Sequence, residues 1–325
     1  MEGHLVLVTT GGTIAMREVA AGRGAVPALE AADLCRDLGW KEPLEIVEHC
    51  NLPSAHFTLE TLWSLRGRVR ELAHRPDCRG IVITHGTDTM EETAYLLDLT
   101  VEGDCPIVLT GAMRAASDPG YDGPANLLSA LRVAASPQAR GLGAVVVMGE
   151  EIHAARLVTK VHTLSPATFQ SPFWGPIGRV EGEEVILHRR PPRQPCLSPE
   201  SLEERVLLIK LAVGMDDGLL RYAVEWGMRG VVIEALGGGR VPPWWMPTIR
   251  EAVARGVALV IASRCPAGLV YDRYGYAGAY RDLKEAGVLF ADGLTGPKAR
   301  LKLMAALGAG LEGEALRQAL ITVER

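Results

Sequence analysis

The sequence predicts an α/β fold in two domains, on three observations. Its 325 residues exceed what one hydrophobic core organises, since single cores stop growing at roughly 250 to 300 residues. Short apolar runs alternate with longer amphipathic stretches, the pattern of parallel strands joined by helices. One stretch between such runs, His188 to Ser201 ("HRRPPRQPCLSPES"), is rich in proline and charge and has neither helical nor strand period, which suits a linker.

The elements follow in chain order. "HLVLVT", from His4, is an apolar run without alternation, the mark of a strand buried on both faces. Thr58 to His74 repeats apolar residues at three- and four-residue spacing and predicts a helix. "GIVITHG" from Gly80, "PIVLTG" from Pro106 and "GAVVVMG" from Gly143 are further buried strands, separated by helical stretches at Met90 to Leu99 and Pro124 to Ala135. Strand, helix and strand in alternation give a larger N-terminal domain, residues 1–190, with a mostly parallel sheet flanked by helices. Residues 191–204 are the linker. Beyond it "RVLLIKL", "GVVIEAL", "VALVIAS" and "GVLFADG" predict a smaller, flavodoxin-like parallel α/β domain over 205–325.

Composition excludes several classes of function. A chain with 48% hydrophobic and 22% charged residues is globular, and no uncharged apolar stretch reaches the 18 or so residues of a membrane span. A net charge of -5 opposes a nucleic-acid partner, which calls for a basic face, so a small-molecule substrate is expected. Glu2, Gly3 and His4 lead straight into the first strand with no basic n-region or cleavage site, so a cytoplasmic location is expected. The six cysteines form no CxxC pair and no metal-ligand spacing, which points to reduced thiols. Cys78 and Cys105, each just before a predicted strand, are the one pair placed to be neighbours at a sheet edge.

In parallel sheets, ligands bind where loops leave the carboxyl ends of the strands. "TTGGTIAM", "HGTDTMEET" and "TGAMR" all stand at such ends and can converge on one rim. The first lacks both G-x-G-x-x-G and a P-loop pattern, which disfavours a phosphate cradle; alone it reads as a tight turn that needs Gly11 and Gly12. Thr87 and Asp88 have two readings, reactive groups or the cap of the following helix. His85 reads as structural, and with no HExxH or clustered His/Cys spacing no metal site is expected. Glu91 and Glu92 suit the helix dipole or solvent. Lys160, in "RLVTKVHT", is either a solvated surface group or, drawn into a low-dielectric site, a base able to deprotonate a threonine hydroxyl.

Through "TGGTIA" (Thr10 to Ala15), "GIVITHGTDTMEETAYLLDLT" (Gly80 to Thr100), "GAMR" (Gly111 to Arg114), "DGPANL" (Asp122 to Leu127), "LVTK" (Leu157 to Lys160) and, more loosely, "GLTGPKARLKL", the chain resembles the bacterial-type L-asparaginase family over effectively its whole length. The resemblance implies an L-asparagine amidohydrolase that works through a threonine acyl-enzyme, with no cofactor and no metal. Thr13 would be the nucleophile. Lys160 would accept a proton through Thr87, and Asp88 would also engage the substrate α-ammonium group. Ser54, in "NLPSAHF", matches the position that binds the α-carboxylate, the main-chain N–H of Thr87 is a candidate oxyanion donor, and the carbonyl of Ala112 would receive the carboxamide N–H.

The resemblance further implies a homodimer or homotetramer whose sites are completed from a partner's C-terminal domain. Arg240 and the tyrosines of "YDRYGYAGAY" are candidates for that part. Two alternatives stay open: a glutaminase-asparaginase of broader specificity, since one methylene is worth only about 1 to 3 kcal/mol of discrimination, and a non-catalytic amino-acid-binding module. Amide hydrolysis within a tRNA-dependent amidotransferase is disfavoured by the missing basic excess and N-terminal extension.

The chain departs from the family in two places. The stretch "MREVAAGRGAVPALEAADL" has no tyrosine where the family carries one on a flexible loop; Ala25 or Val26 takes its approximate place, leaving Tyr274 or Tyr276 as another source. Gly22 and Gly24 near Pro27 suit either a hinged lid or an ordinary surface connection. Ala55 follows Ser54 where the family often has a polar contact, so weaker affinity for the amino-acid backbone is expected. The tryptophans of "PPWWMP", Trp244 and Trp245, suit either an interface anchor or core packing.

Overall fold

Apolar runs without alternation need cover on both faces, and the first strand receives it: Leu5, Val6, Leu7 and Val8 are all fully buried. The computed structural model describes residues 3–18, 24–36, 38–291 and 293–321. The chain divides into two compact units at Cys196 and Leu197.

In the first unit, β1 (His4–Gly11) leads through a hairpin of β2 (Met16–Glu18) and β3 (Ala25–Pro27) and a short α1 (Ala31–Cys35) to β4 (Leu44–Leu52). Then come α2 (Leu59–Ala73), β5 (Cys78–Thr84), α3 (Met90–Thr100), β6 (Ile107–Thr110), α4 (Gly123–Ala135), β7 (Ala144–Met148) and β8 (Glu151–Ala154). A second hairpin, β9 (Thr159–Lys160) and β10 (Phe169–Gln170), precedes β11 (Gly178–Glu181) and β12 (Glu184–Leu187). The eight-stranded sheet runs β12-β11-β8-β7-β6-β5-β1-β4. It is parallel from β4 to β7 and antiparallel beyond.

Alternation of side chains along each strand divides the core into two layers. Leu5, Leu7, Val82, Val108 and Val145 pack against α4 through Leu127, Ala130 and Leu131. Val6, Val8, Ile81, Ile83 and Leu109 pack against Leu65 and Val69 of α2 and Met90 and Leu97 of α3. Thr58 starts α2 by accepting the Thr61 N–H at 3.1 Å, an orphan first-turn donor that a threonine hydroxyl satisfies.

Four strands of this sheet have no counterpart among the sequence-based elements: β4, β8, β11 and β12. β4 and β12 are the two edges of the sheet, while β8 and β11 lie inside it as four-residue strands, EIHA and GRVE, that mix polar with apolar residues. β4 ("LEIVEHCNL") has charged residues inside it and no fully buried residue, so it lacks the continuous apolar run that marks a central strand. Cys78 and Cys105 are indeed neighbours, free thiols with their sulfurs 4.0 Å apart. Between Leu187 and Val206 there is no helix or strand; Arg193 donates to the carbonyls of Val101 at 2.7 Å and Gly103 at 2.8 Å, fastening this stretch to the end of α3.

The second unit is the expected parallel α/β arrangement. Its strands β13 (Val206–Lys210), β14 (Gly230–Ala235), β15 (Ala258–Ser263) and β16 (Leu289–Phe290) lie side by side in chain order. Helices α5 (Gly218–Glu225), α6 (Met246–Ala254) and α7 (Tyr280–Glu285) connect them, and α8 (Gly296–Gly308) and α9 (Gly313–Leu320) follow. The tryptophan pair splits its roles: Trp245 is fully buried in the core while Trp244 is 53% exposed, yet both indoles donate to the carbonyl of Met215. Among the described residues no helix is long and apolar enough to cross a membrane.

The split has a measurable consequence. Trp245→Ala is expected to cost about 3 to 5 kcal/mol, the usual range for a large aromatic removed from a core. Trp244→Ala should cost less than about 1.5 kcal/mol, the worth of one hydrogen bond. Denaturant midpoints of the two variants test the contrast, and equal losses would contradict it.

Candidate active site

The end of β1 does not run on smoothly. Thr9 pairs with Glu48 of β4 but Gly11 pairs with Leu52, so the ladder slips between them. Gly11 and Gly12 then take φ of 95° and 84°, backbone angles that cost an L side chain energy. Space imposes the same requirement, because a Cβ on Gly12 would collide with the backbone of Gly86. Gly86 is itself crowded, its Cβ position lying 2.6 Å from Ser54 Oγ, and that of Gly111 lies 2.5 Å from the carbonyl oxygen of His85. The loops that carry Thr13, Ser54, Thr87 and Ala112 are thus packed backbone against backbone. Thr13 opens a single 3-10 turn, Thr13–Ala15, closed by the Ala15 N–H on Gly12 O at 2.9 Å.

"HGTD" divides into structural and polar parts. His85 is fully buried, its Nδ1 2.7 Å from Gly86 O and its Nε2 3.0 Å from Thr93 Oγ1. A carbonyl can only accept, so Nδ1 carries the proton and Nε2 accepts from the threonine. Burial lowers its pKa to about 4, and the histidine is a neutral brace. Thr87 is buried and its Oγ1 accepts from Lys160 Nζ at 2.8 Å; the same nitrogen donates to Asp88 Oδ1 at 2.7 Å.

The capping reading of Thr87 and Asp88 and the surface reading of Lys160 both fail. Neither Thr87 nor Asp88 caps α3; Thr89 stands at the N-cap and spends its hydroxyl on Ser54 O at 3.2 Å. Glu91 and Glu92 follow in the first turn, each half-buried. Lys160 is not a solvated surface group. It lies opposite Phe169 in the β9–β10 hairpin, next to buried Val158, and its side chain is 16% exposed against 65% for Asp88.

Ser54 is buried, and its Oγ has no hydrogen-bond partner among the described residues. A dry, unpaired hydroxyl costs on the order of 1 to 3 kcal/mol, a penalty that an incoming ligand oxygen would relieve. Ala112 is fully buried on a strip held rigid from both sides. Asp122 takes the N–H groups of Met113 and Arg114 at 3.0 to 3.1 Å, while Asn126 donates to Gly111 O at 3.0 Å. Tyr121, next to Asp122, donates its hydroxyl to Ile14 O at 2.6 Å. Sequence reasoning singled out none of these three supports. Asp122 and Asn126 stood within "DGPANL" without a role, and nothing around Tyr121 marked it.

The remaining candidates are found elsewhere. Ala25 and Val26 are exposed on β3, and Gly24 has φ of 77°, while Gly22 lies outside the described residues. Arg240, in the second unit, stacks its guanidinium on Tyr271 at 4.4 Å and Tyr274 at 4.8 Å; Tyr276 stacks on Tyr274 with centroids 5.7 Å apart. Among the described residues no group of three or more His, Cys, Asp or Glu side chains could hold a metal ion.

Comparison with known proteins places the whole chain in one family. Residues 4–193 match the family described as Asparaginase, N-terminal, and residues 205–320 match the Glutaminase/Asparaginase C-terminal domain. The chain is 41% identical to a probable L-asparaginase of Deinococcus radiodurans, over 97% of this chain and 96% of that one. It is 36% identical to an L-asparaginase of Bacillus licheniformis, over 96% and 98%. Among solved structures, that of a probable cytoplasmic L-asparaginase from Campylobacter jejuni superposes with a TM-score of 0.87 at 28% identity, covering 98% of this chain and 99% of that one.

The buried brace makes stability pH-dependent. An unfolded histidine titrates near 6.5 and the folded one near 4, so between those values the unfolded chain binds the extra proton and stability falls as pH falls. The loss should approach, on the order of, 3 kcal/mol by pH 4. It is expected to disappear from the slope of unfolding free energy against pH in His85→Gln; an unchanged slope would refute the assignment.

Proposed function

Because the chain belongs to the asparaginase family, amidohydrolases that convert L-asparagine to aspartate and ammonia, we propose that Thr13 is its nucleophile and that Lys160, Thr87 and Asp88 activate and hold the substrate. The observation that carries this reading is the pair of contacts from Lys160 Nζ, 2.8 Å to Thr87 Oγ1 and 2.7 Å to Asp88 Oδ1. A lysine so held can relay protons through a hydroxyl while its carboxylate partner keeps a second oxygen for another cation.

The substrate has one carboxylate, one ammonium and one neutral amide. Its α-carboxylate takes the unpaired Ser54 hydroxyl, its α-ammonium the exposed side of Asp88, and its carboxamide N–H the Ala112 carbonyl. Thr13 Oγ attacks the carboxamide carbon as its proton passes to Thr87 Oγ1 and the Thr87 hydroxyl proton passes to Lys160 Nζ, which takes part in this step as the neutral amine. The oxygen that gains charge faces the main-chain N–H of Thr87, an element worth about 3 to 4 kcal/mol where such donors have been removed. The C–N bond then breaks, ammonia leaves with a returned proton, and water attacks the Thr13 ester to release aspartate. With no tyrosine on the loop after Thr13, the lysine and threonine pair carries the activation.

We place these residues in an N-terminal domain of 1–190, joined by 191–204 to a C-terminal domain of 205–325. A homodimer or homotetramer, with Arg240, Tyr274 or Tyr276 completing a partner's site, follows the family's habit of shared sites. The Campylobacter relative, described as cytoplasmic, supports a cytoplasmic location. Action on glutamine is the second reading, favoured by the match to a Glutaminase/Asparaginase C-terminal domain.

Thr13→Ala is expected to abolish ammonia release from asparagine with the fold intact; undiminished turnover would remove Thr13 as nucleophile. Lys160→Met should lower kcat about 10²- to 10⁴-fold, the range of a lost proton acceptor. Ser54→Ala should act mainly on KM. Ammonia release measured side by side on asparagine and glutamine decides between the two readings of specificity.

A further inference from the structure

A three-residue 3-10 turn cannot satisfy its own polar groups, so each buried carbonyl in it needs a donor from outside. Around Thr13 the donors are identifiable. Gly12 O takes the Ala15 N–H, Thr13 O takes the Met16 N–H, and Ala15 O takes the N–H groups of Ala28 and Leu29. Ile14 is fully buried, and its carbonyl, one residue from the nucleophile, takes the Tyr121 hydroxyl at 2.6 Å.

We propose that Tyr121 is a positioning residue for Thr13, acting from the strip beside Ala112. This rests on the reading of Thr13 as the nucleophile. The ring of Tyr121 lies directly against Gly123, where any Cβ would collide with it, so the hydroxyl is delivered from a fixed platform. Burial pushes that hydroxyl up to about 12. It therefore stays protonated at neutral pH, a permanent donor and not a base. The next residue, Asp122, holds the N–H groups of Met113 and Arg114 immediately after Ala112. Two adjacent residues thus set the nucleophile's turn and the proposed acceptor of the carboxamide N–H in one frame. Two further ties join the same segments, Ala116 N–H to Met16 O at 2.9 Å and Glu18 N–H to Ser117 Oγ at 3.1 Å, but both act beyond the turn.

Tyr121→Phe removes the hydroxyl and keeps the ring. Misplacement of a reacting group by about 1 Å can cost roughly 10²-fold in rate, so kcat for asparagine is expected to fall between about tenfold and 10²-fold, with KM within about twofold of wild type. Ser117→Ala, which cuts the outer tie of the same loop, should leave kcat unchanged. Full kcat in Tyr121→Phe, a loss confined to KM, or an equal loss in Ser117→Ala would each overturn the inference. Circular dichroism and melting are expected to report an intact fold, and an unfolded Tyr121→Phe would make the residue a stability element and overturn it as well. Thr13→Ala run in parallel separates the two levels: if it is inactive while Tyr121→Phe is fully active, only the role of Tyr121 falls, and if it is active the nucleophile reading itself falls.

Discussion

Gly12 and Gly86 meet with no side chain between them, and the geometry around the candidate site depends on that contact. Each glycine immediately precedes a threonine, so closing the two backbones brings Thr13 and Thr87 to the two sides of one seam. Ser54 enters the same seam against Gly86, and Gly111 closes it from the next strand end. Main chain packed on main chain is stiffer than any arrangement of side chains, because it has no rotamers to exchange. His85, neutral and buried behind the seam, braces it with one bond to Gly86 and one to α3.

On this frame polarity is distributed unevenly. The Lys160 side chain is largely withdrawn from water while its partner Asp88 remains largely open to it. Ser54 has a buried hydroxyl with no hydrogen-bond partner among the described residues. A ligand that brings a cation to the open carboxylate and an anion to the dry hydroxyl meets both needs at once, which is the charge pattern of a free α-amino acid.

Much of this was legible in the sequence where the physics is local. β1, β5, β6 and β7 announce themselves because strands covered on both faces must be apolar throughout, and Thr58 marks the start of α2 because a free first-turn N–H needs an acceptor. β4 and β12 stayed hidden because edge strands keep polar residues on their open side, and β8 and β11, inside the sheet, because four residues that mix polar with apolar side chains make no apolar run. Adjacent Trp244 and Trp245 have the same composition signal and opposite environments, a distinction that only the path of the chain decides. The loops that carry Thr13, Thr87, Asp88 and Lys160 were legible through motifs, whereas the contacts of Asp122 and Tyr121 were not. Their partners are main-chain groups, up to 107 residues away in the case of Ile14, and a backbone carbonyl leaves no trace in a sequence.

The hairpin of β2 and β3 leaves the candidate site directly after the turn that holds Thr13, and its described outer residues, Ala25 and Val26, are small or aliphatic and exposed. Neither side chain has a group that could give or take a proton. Side chains there can be exchanged without touching the contact of Gly12 with Gly86, so the surface beside the turn and the placement of its threonine are set by different segments of the chain.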